Sequence, residues 1–165
     1  MAKTKLSLEE RIRIIEIKDA ASMAMYRYWR CLDYKKFDEL PDVFTEDAYG
    51  DWGMETWRKS GRKEICEWLH ANESQEGLRL CHFGHNPEIT VDSDTEARGI
   101  FLLEDWVTIH GLTIMRGFGQ YNMIFTEGDD GVWRIKNLHL VHAYRESVQR
   151  FIEGKMISTT PELSR

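Results

Sequence analysis

Two imidazoles stand in one short apolar run, Leu80-Cys81-His82-Phe83-Gly84-His85, and a carboxylate pair, Glu104-Asp105, lies one extended run later. Tyr28 and Asp33 sit near the end of an upstream helical pattern. A histidine beside an aspartate suits general-base chemistry near neutral pH. The carboxylate fixes the imidazole tautomer and stabilises the imidazolium formed by proton abstraction. A phenol can donate to a developing enolate oxygen or to a departing hydroxyl. Tyr28, Asp33, His82 and Asp105 could therefore run elimination or isomerisation beside a carbonyl with no metal. The plainer alternative makes His82 and His85 ordinary half-buried histidines.

Other chemistries find less support. The His82/His85 spacing is not the helical HExxH signature, and the two rings should face opposite sides of a strand, so no metal site is expected. No GxGxxG, phosphate-binding loop or GxSxG elbow is present, and no cofactor is expected. Gly117 and Gly119 alternate inside a strand pattern, where they relieve crowding, allow a bend or leave cavity space. Cys31, Cys66 and Cys81 match neither CxxC nor a zinc knuckle and read as small core residues. His139 and His142 fall on opposite faces of the last strand, and His142 ranks behind the four residues above as a pocket candidate. Trp29, Trp52, Phe101 and Tyr121 are the aromatic candidates for a substrate-binding wall.

The chain of 165 residues fits one domain, spanning 1–165 with flexible ends expected at 1–6 and 155–165. Its formal charge of -6 favours solubility and leaves no broad basic footprint for nucleic acid. The cluster Arg58, Lys59, Arg62, Lys63 is too small to change that and reads as a solvated helix start. No stretch of about 18 apolar residues predicts a membrane span. Met1 to Glu10 lacks the apolar core of a secretion signal, which points to the cytoplasm.

The elements that would position these groups follow from periodicity. Ser7 with Glu10 forms a capping box, and Ile14, Ile17, Ala21, Met25, Tyr28 and Leu32 recur at helical spacing. Tyr28 and Asp33 stand about 140° apart on an ideal helix and roughly 7.5 Å along it. They converge on one pocket only if the helix ends near Cys31–Asp33 or a sizeable ligand spans them. An aspartate at a helix C-terminus is unfavourable alone, so Asp33 needs a compensating partner. A short second helix is expected over Lys36 to Leu40, loop and short strand over Val43 to Trp52, and a third helix from Ser60 to about Leu69. Strand patterns then cover Leu78 to Phe83, Glu88 to Asp92, Glu96 to Thr108, Thr113 to Phe125 and Val132 to His142. Asn86-Pro87 should end the first of these. Asp92-Ser93-Asp94, His110-Gly111 and Gly128-Asp129-Asp130-Gly131 are hairpin turns, which predicts an antiparallel meander in an α+β layer.

Strand alternation assigns faces. Leu78, Leu80 and His82 share one side, leaving His85 on the other. Ala97, Gly99, Phe101, Leu103, Asp105 and Val107 share a face, opposite Ile100, Leu102, Glu104 and Trp106. A buried Asp105 would be costly unpaired, and His82 is an available partner. Both faces of the strands are apolar, through Trp106, Ile114, Phe118, Ile124 and Leu140, which predicts a homo-oligomer.

The ordered segments Leu8-Glu9-Glu10-Arg11, Tyr28-Trp29-Arg30-Cys31-Leu32-Asp33, Phe37-Asp38-Glu39-Leu40, His82-Phe83-Gly84-His85-Asn86-Pro87-Glu88-Ile89-Thr90 and Leu103-Glu104-Asp105 resemble the SnoaL-like branch of the nuclear-transport-factor-2-like superfamily. Within it they look most like the bacterial bile acid 7α-dehydratase family, over about residues 8–150. The resemblance implies a cone-like α+β barrel, with a curved antiparallel sheet wrapped around N-terminal helices over a blind apolar pocket. It also implies a cofactor-free Asp33–His82 dyad with Tyr28 and Asp105 beside it, whereas strand alternation offers Asp105 to His82. Between Asp42 and Leu78 the resemblance lapses. The expected function is a cofactor-independent lyase, a dehydratase of a hydroxylated steroid-like, terpenoid or polyketide substrate. An isomerase in the same pocket, a noncatalytic apolar-ligand module and a structural assembly protein are the alternatives. The enzymes resembled imply a trimer, while the wider superfamily includes many dimers.

Overall fold

The computed structural model describes residues 6–110, 112–147 and 161–162. The ends expected at 1–6 and 155–165 fall almost wholly outside these, as does Gly111 of the expected hairpin turn. Helix α1 (Leu8–Asp33) is started as its capping box predicts. The Ser7 N–H donates to Glu10 Oε2 and the Glu10 N–H to Ser7 Oγ, satisfying two of the free amides of the first turn. Its apolar stripe is buried from Ile17 through Ala21, Met25 and Tyr28 to Leu32. The helix stops at Asp33, and two residues later Lys35 takes a left-handed conformation.

The expected second helix over Lys36–Leu40 is not an α-helix. Turns there lead into a single 3-10 turn, Leu40–Asp42, because Pro41 lacks the amide that continued α-helical bonding requires. Strand β1 (Phe44–Asp51) is longer than predicted and pairs with a short strand, β2 (Arg58–Ser60), in a region read from sequence as loop. Helix α2 (Arg62–Glu73) starts two residues later than expected and runs four further. Its N-terminus follows Gly61, held at φ 85°. The basic cluster at this corner is paired with acids, Arg58 with Asp51 and Arg62 with Glu46.

Four long strands form the meander: β3 (Leu78–Val91), β4 (Glu96–Ile109), β5 (Leu112–Glu127) and β6 (Trp133–Ser147). Each is antiparallel to the next, as predicted. The sheet order is β2-β1-β6-β5-β4-β3, and a two-residue strand, β7 (Pro161–Glu162), adds to β6. The expected wholly antiparallel sheet needs correction on one point: β1 runs parallel to β6, so the sheet is mixed. It is also unclosed, with β2 and β3 at its two ends. The cone-like α+β architecture is otherwise the expected one, the curved sheet holding α1 against its inner face.

Asn86-Pro87 does not end a strand. It forms a bulge inside β3, where the ladder advances from His85↔Leu102 to Glu88↔Ile100 and leaves one extra residue on β3. Asn86 takes φ 48° there. A bulge tolerates a missing proline amide that a regular ladder would not. Its effect is to switch the alternation. Leu78, Leu80 and His82 point inward before it, and Ile89 and Val91 pack on the core after it.

Along β4 the inward residues divide by position. Ala97, Phe101 and Leu103 are buried with Phe125, Ile135 and Leu138 in a solid core at one end of the cone. Asp105, Val107 and Ile109 face a cavity at the other. Of the cysteines, Cys31 is buried and Cys66 partly so, but Cys81 is exposed on the outer face and is not a core residue. Among the described residues no helix is long and apolar enough to cross a membrane.

Candidate active site

A cavity of about 320 Å³ opens between the C-terminal half of α1, helix α2 and the inner face of β3–β6. The helix end at Asp33 meets the sheet at His82. His82 Nδ1 lies 2.6 Å from Asp33 Oδ1, and the His82 backbone N–H donates to Asp33 Oδ2 at 3.1 Å. This is the compensating partner that an aspartate at a helix C-terminus requires. An ionised carboxylate can only accept, so the contact favours a proton on Nδ1, and in the neutral ring that tautomer leaves the Nε2 lone pair as the basic site. Both side chains are largely buried, at 8% and 17% exposure. His82 lines the cavity, whereas Asp33 sits behind it and reaches the cavity only through the ring. Of the two sequence-level options for His82, Asp33 is the hydrogen-bonded partner. Asp105 is directly opposite His82 in the β3–β4 register but is not its hydrogen-bonded partner.

Tyr28 lines the same cavity and is fully buried. Its hydroxyl accepts from Trp52 Nε1 at 2.8 Å, which orients the oxygen and leaves its own O–H to donate. Burial pushes the Tyr28 phenol well above its ordinary range, and the nearby Glu73 and Asp33 charges add to that. Tyr121 is raised too, by burial first and by its neighbours Tyr28 and Asp105. Both phenols are therefore neutral donors and not bases.

Asp105 lines the cavity at 8% exposure. His142 on β6 approaches it, with 3.8 Å between Asp105 Oδ2 and His142 Nε2. Glu73, from the last turn of α2, also faces the cavity; burial raises its carboxyl, opposed by the charges of His82 and Lys35. Trp52, Trp57 and Trp68 make an aromatic wall, with Trp52 and Trp68 centroids 4.7 Å apart and Trp57 6.3 Å from Trp68. Arg145 lines the cavity with its guanidinium 5.5 Å from the Trp57 ring centre. Among the described residues, no three His, Cys, Asp or Glu side chains converge as metal ligands.

The structure thus brings Tyr28, His82, Asp105, Trp52 and Tyr121 to one cavity, with Asp33 in support. Trp29 and Phe101 do not line it. Phe101 stands four residues from Asp105 on the same face of β4, about 13 Å down the strand in the solid core. Trp29 lies one residue round the helix from Tyr28 and packs its indole on Gly84, Phe101 and Tyr121. A Cβ at Gly84 would stand 2.0 Å from that ring, so the strand must carry glycine there. Sequence reasoning gave too little weight to His142 and passed over Trp57, Glu73 and Arg145. Trp68 had a signal, as an apolar residue beside the buried stripe of α2.

Comparison with known proteins agrees with this architecture. The family model of the SnoaL-like domain matches residues 13–139. A protein from Novosphingobium aromaticivorans DSM 12444 described as a scytalone dehydratase superposes with a TM-score of 0.76 at 20% identity, over 86% of this chain and 93% of that one. A type 2 hexachlorocyclohexane dehydrochlorinase (LinA) gives a TM-score of 0.75 at 14% identity, over 86% and 95% of the two chains. ActVI-ORFA from Streptomyces coelicolor gives 0.67 at 14% identity, over 77% and 97%. At these identities the solved structures establish a shared fold, and with a family match over most of its length the chain belongs to the SnoaL-like family.

Proposed function

We propose that this protein is a cofactor-independent lyase that dehydrates a hydroxylated carbonyl compound with an apolar, ring-shaped body. The observation that carries the reading is the His82–Asp33 contact of 2.6 Å, with the opposite edge of the imidazole turned to an apolar cavity. A base so placed can remove a proton from carbon beside a carbonyl. The carboxylate holds the tautomer and stabilises the imidazolium. The Tyr28 O–H, oriented by Trp52, is placed to donate to the oxygen on which negative charge develops. The Trp52, Trp57 and Trp68 wall suits flat hydrophobic substrates such as steroid-like, terpenoid or aromatic polyketide rings. The dehydratase and dehydrochlorinase names among the structural neighbours are in keeping with an elimination.

The test is a panel of β-hydroxy carbonyl compounds, including bile-acid-type hydroxysteroids, incubated with the protein and read by product mass. Loss of one water supports the reading. An unchanged mass with a rearranged product makes the protein an isomerase using the same base. A compound that binds and is recovered unchanged makes the cavity a binding site only. If His82→Ala retained full activity, the assignment of the base would be wrong.

We also propose that the chain works as a homo-oligomer, with a trimer favoured over a dimer. Phe83, Ile100, Leu102 and Val141 expose apolar surface on the outer face of the sheet, in support of such assembly. Light scattering that finds a monomer at micromolar concentration would reject it.

A further inference from the structure

Asp105 and His142 belong to strands that are not neighbours. Asp105 is on β4, His142 on β6, and β5 runs between them. Alternate strands of a sheet lie nearly 10 Å apart, and the side chain of the strand between them ordinarily separates their residues. Here the intervening residue is Gly117, directly opposite Asp105 in the ladder. A Cβ on Gly117 would stand 2.2 Å from Asp105 Oδ1 and 3.2 Å from His142 Cδ2. Gly119, opposite His142, is equally tight: its Cβ would meet the Val141 carbonyl oxygen at 2.3 Å and His142 Cα at 3.0 Å. The two glycines are thus what lets the carboxylate and the imidazole approach to 3.8 Å across a strand.

The two His–Asp couples of the cavity differ in a way that matters chemically. In the first, the carboxylate is behind the ring and its 2.6 Å contact occupies Nδ1. In the second, ring and carboxylate both line the cavity, at 9% and 11% exposure, and their contact is looser. Asp105 Oδ1 is buried with no hydrogen-bond donor from the described residues. A buried carboxylate oxygen without a donor is costly, and a small turn of the Asp105 side chain toward the cavity would let a substrate hydroxyl satisfy it. The first couple is built to take a proton and the second to meet a hydroxyl.

We infer that His142, with Asp105, is the acid that protonates the departing hydroxyl in the elimination proposed above, on which this inference rests. The step balances as follows. His82 Nε2 takes the proton from the carbon beside the carbonyl, and the C–H electron pair is held in an enolate. That pair then forms the new C=C bond as the C–O bond breaks with its own pair. The leaving oxygen takes a proton from the His142–Asp105 couple and departs as water. His82 is left protonated and the second couple one proton short, and exchange with solvent resets both.

The experiment separates proton removal from C–O cleavage. In D2O, with a panel compound that the wild type dehydrates, His142→Gln should lose elimination by about 10²-fold, the usual scale for removing a general acid. It should still exchange deuterium into the carbon beside the carbonyl. Replacing the substrate hydroxyl by a leaving group that needs no proton, such as an acetate ester, should restore most of the rate. His82→Ala should lose exchange and elimination together. Asp105→Asn, checked for native circular dichroism, is the second variant and should resemble His142→Gln. The inference is overturned if His142→Gln eliminates within threefold of wild type, or if it loses exchange and elimination equally. It is overturned too if the variant is no better with the acetate. A purely structural clamp across β5 would not distinguish the two leaving groups. If wild type neither exchanges nor eliminates with any compound, the elimination reading itself fails and this assignment with it.

Discussion

The inner and outer faces of β3 carry nearly the same chemistry in different surroundings. Inward stand Leu80 and His82; outward, one residue along, stand Cys81, Phe83 and His85, beside Glu104 and Trp106 of β4. Each face has an imidazole near a carboxylate and apolar neighbours. What separates them is α1. Its last residue, Asp33, grips both the ring and the backbone of His82, and its preceding turn brings Tyr28 over the same space. His85 lies exposed on an open surface. A strand can supply side chains to either face, but only the face that meets the end of a helix gains a buried, oriented and polarised set.

The sharpest way to break this comparison is to remove each histidine in turn. On whichever panel compound is turned over, His82→Ala is expected to lower kcat/KM on the order of 10³-fold, within the range for loss of a general base. His85→Ala should stay within about twofold. Equal losses would end the argument from faces. Stability offers a parallel contrast. Phe101→Ala, in the solid core, should cost about 3–5 kcal/mol in urea unfolding. Phe83→Ala, 46% exposed on the outer face, should cost less than about 1 kcal/mol when measured on monomer.

Smaller changes sharpen the role of the helix end. Asp33→Asn keeps the shape but removes the charge that stabilises the imidazolium, and about 10²-fold should be lost in kcat with little change in KM. Tyr28→Phe should cost on the order of 10²-fold in kcat/KM. It also leaves the buried Trp52 Nε1 without its acceptor, at roughly 1–3 kcal/mol of stability. A loss of stability with full activity would make Tyr28 structural.

The smallest effect concerns Glu73. Burial raises its carboxyl above the ordinary value of 4.5, so the folded state holds this proton more tightly than the unfolded one. The stability it contributes is complete below about pH 4.5 and declines as pH rises through the raised value. Glu73→Gln should therefore match wild type in Tm at low pH and exceed it at neutral pH. A variant that melts lower than wild type at pH 7 would show that the charge is needed there.

Much of this site was legible because alternation along a strand is strict. The parity of Leu78, Leu80 and His82 and of Phe101 to Val107 placed His82 and Asp105 inward correctly, and the capping box fixed the start of α1. What alternation does not carry is depth. Phe101 shares a face with Asp105, but nothing in the pattern says where solid core gives way to cavity. Pairing between distant segments was equally hidden. The parallel β1–β6 contact and the β1–β2 pair join stretches with no local signature of each other. His142 was undervalued for the same reason: its meeting with Asp105 depends on Gly117, a residue of a third strand. The Gly117-Phe118-Gly119 pattern was visible, but its meaning required knowing which strands flank it.

The bulge at Asn86-Pro87 has a consequence for how the protein can change. A single extra residue uncouples the two halves of β3, so each half sets its inward side independently. Without the bulge, a strand of the same length could not keep both halves inward: with Ile89 and Val91 held on the core, His82 would turn to the outer surface and Cys81 would take its place. A single insertion or deletion within β3 therefore keeps both inward faces only where a bulge is gained or lost with it. The irregularity sets the phase between the half of β3 that packs on the core and the half that lines the cavity.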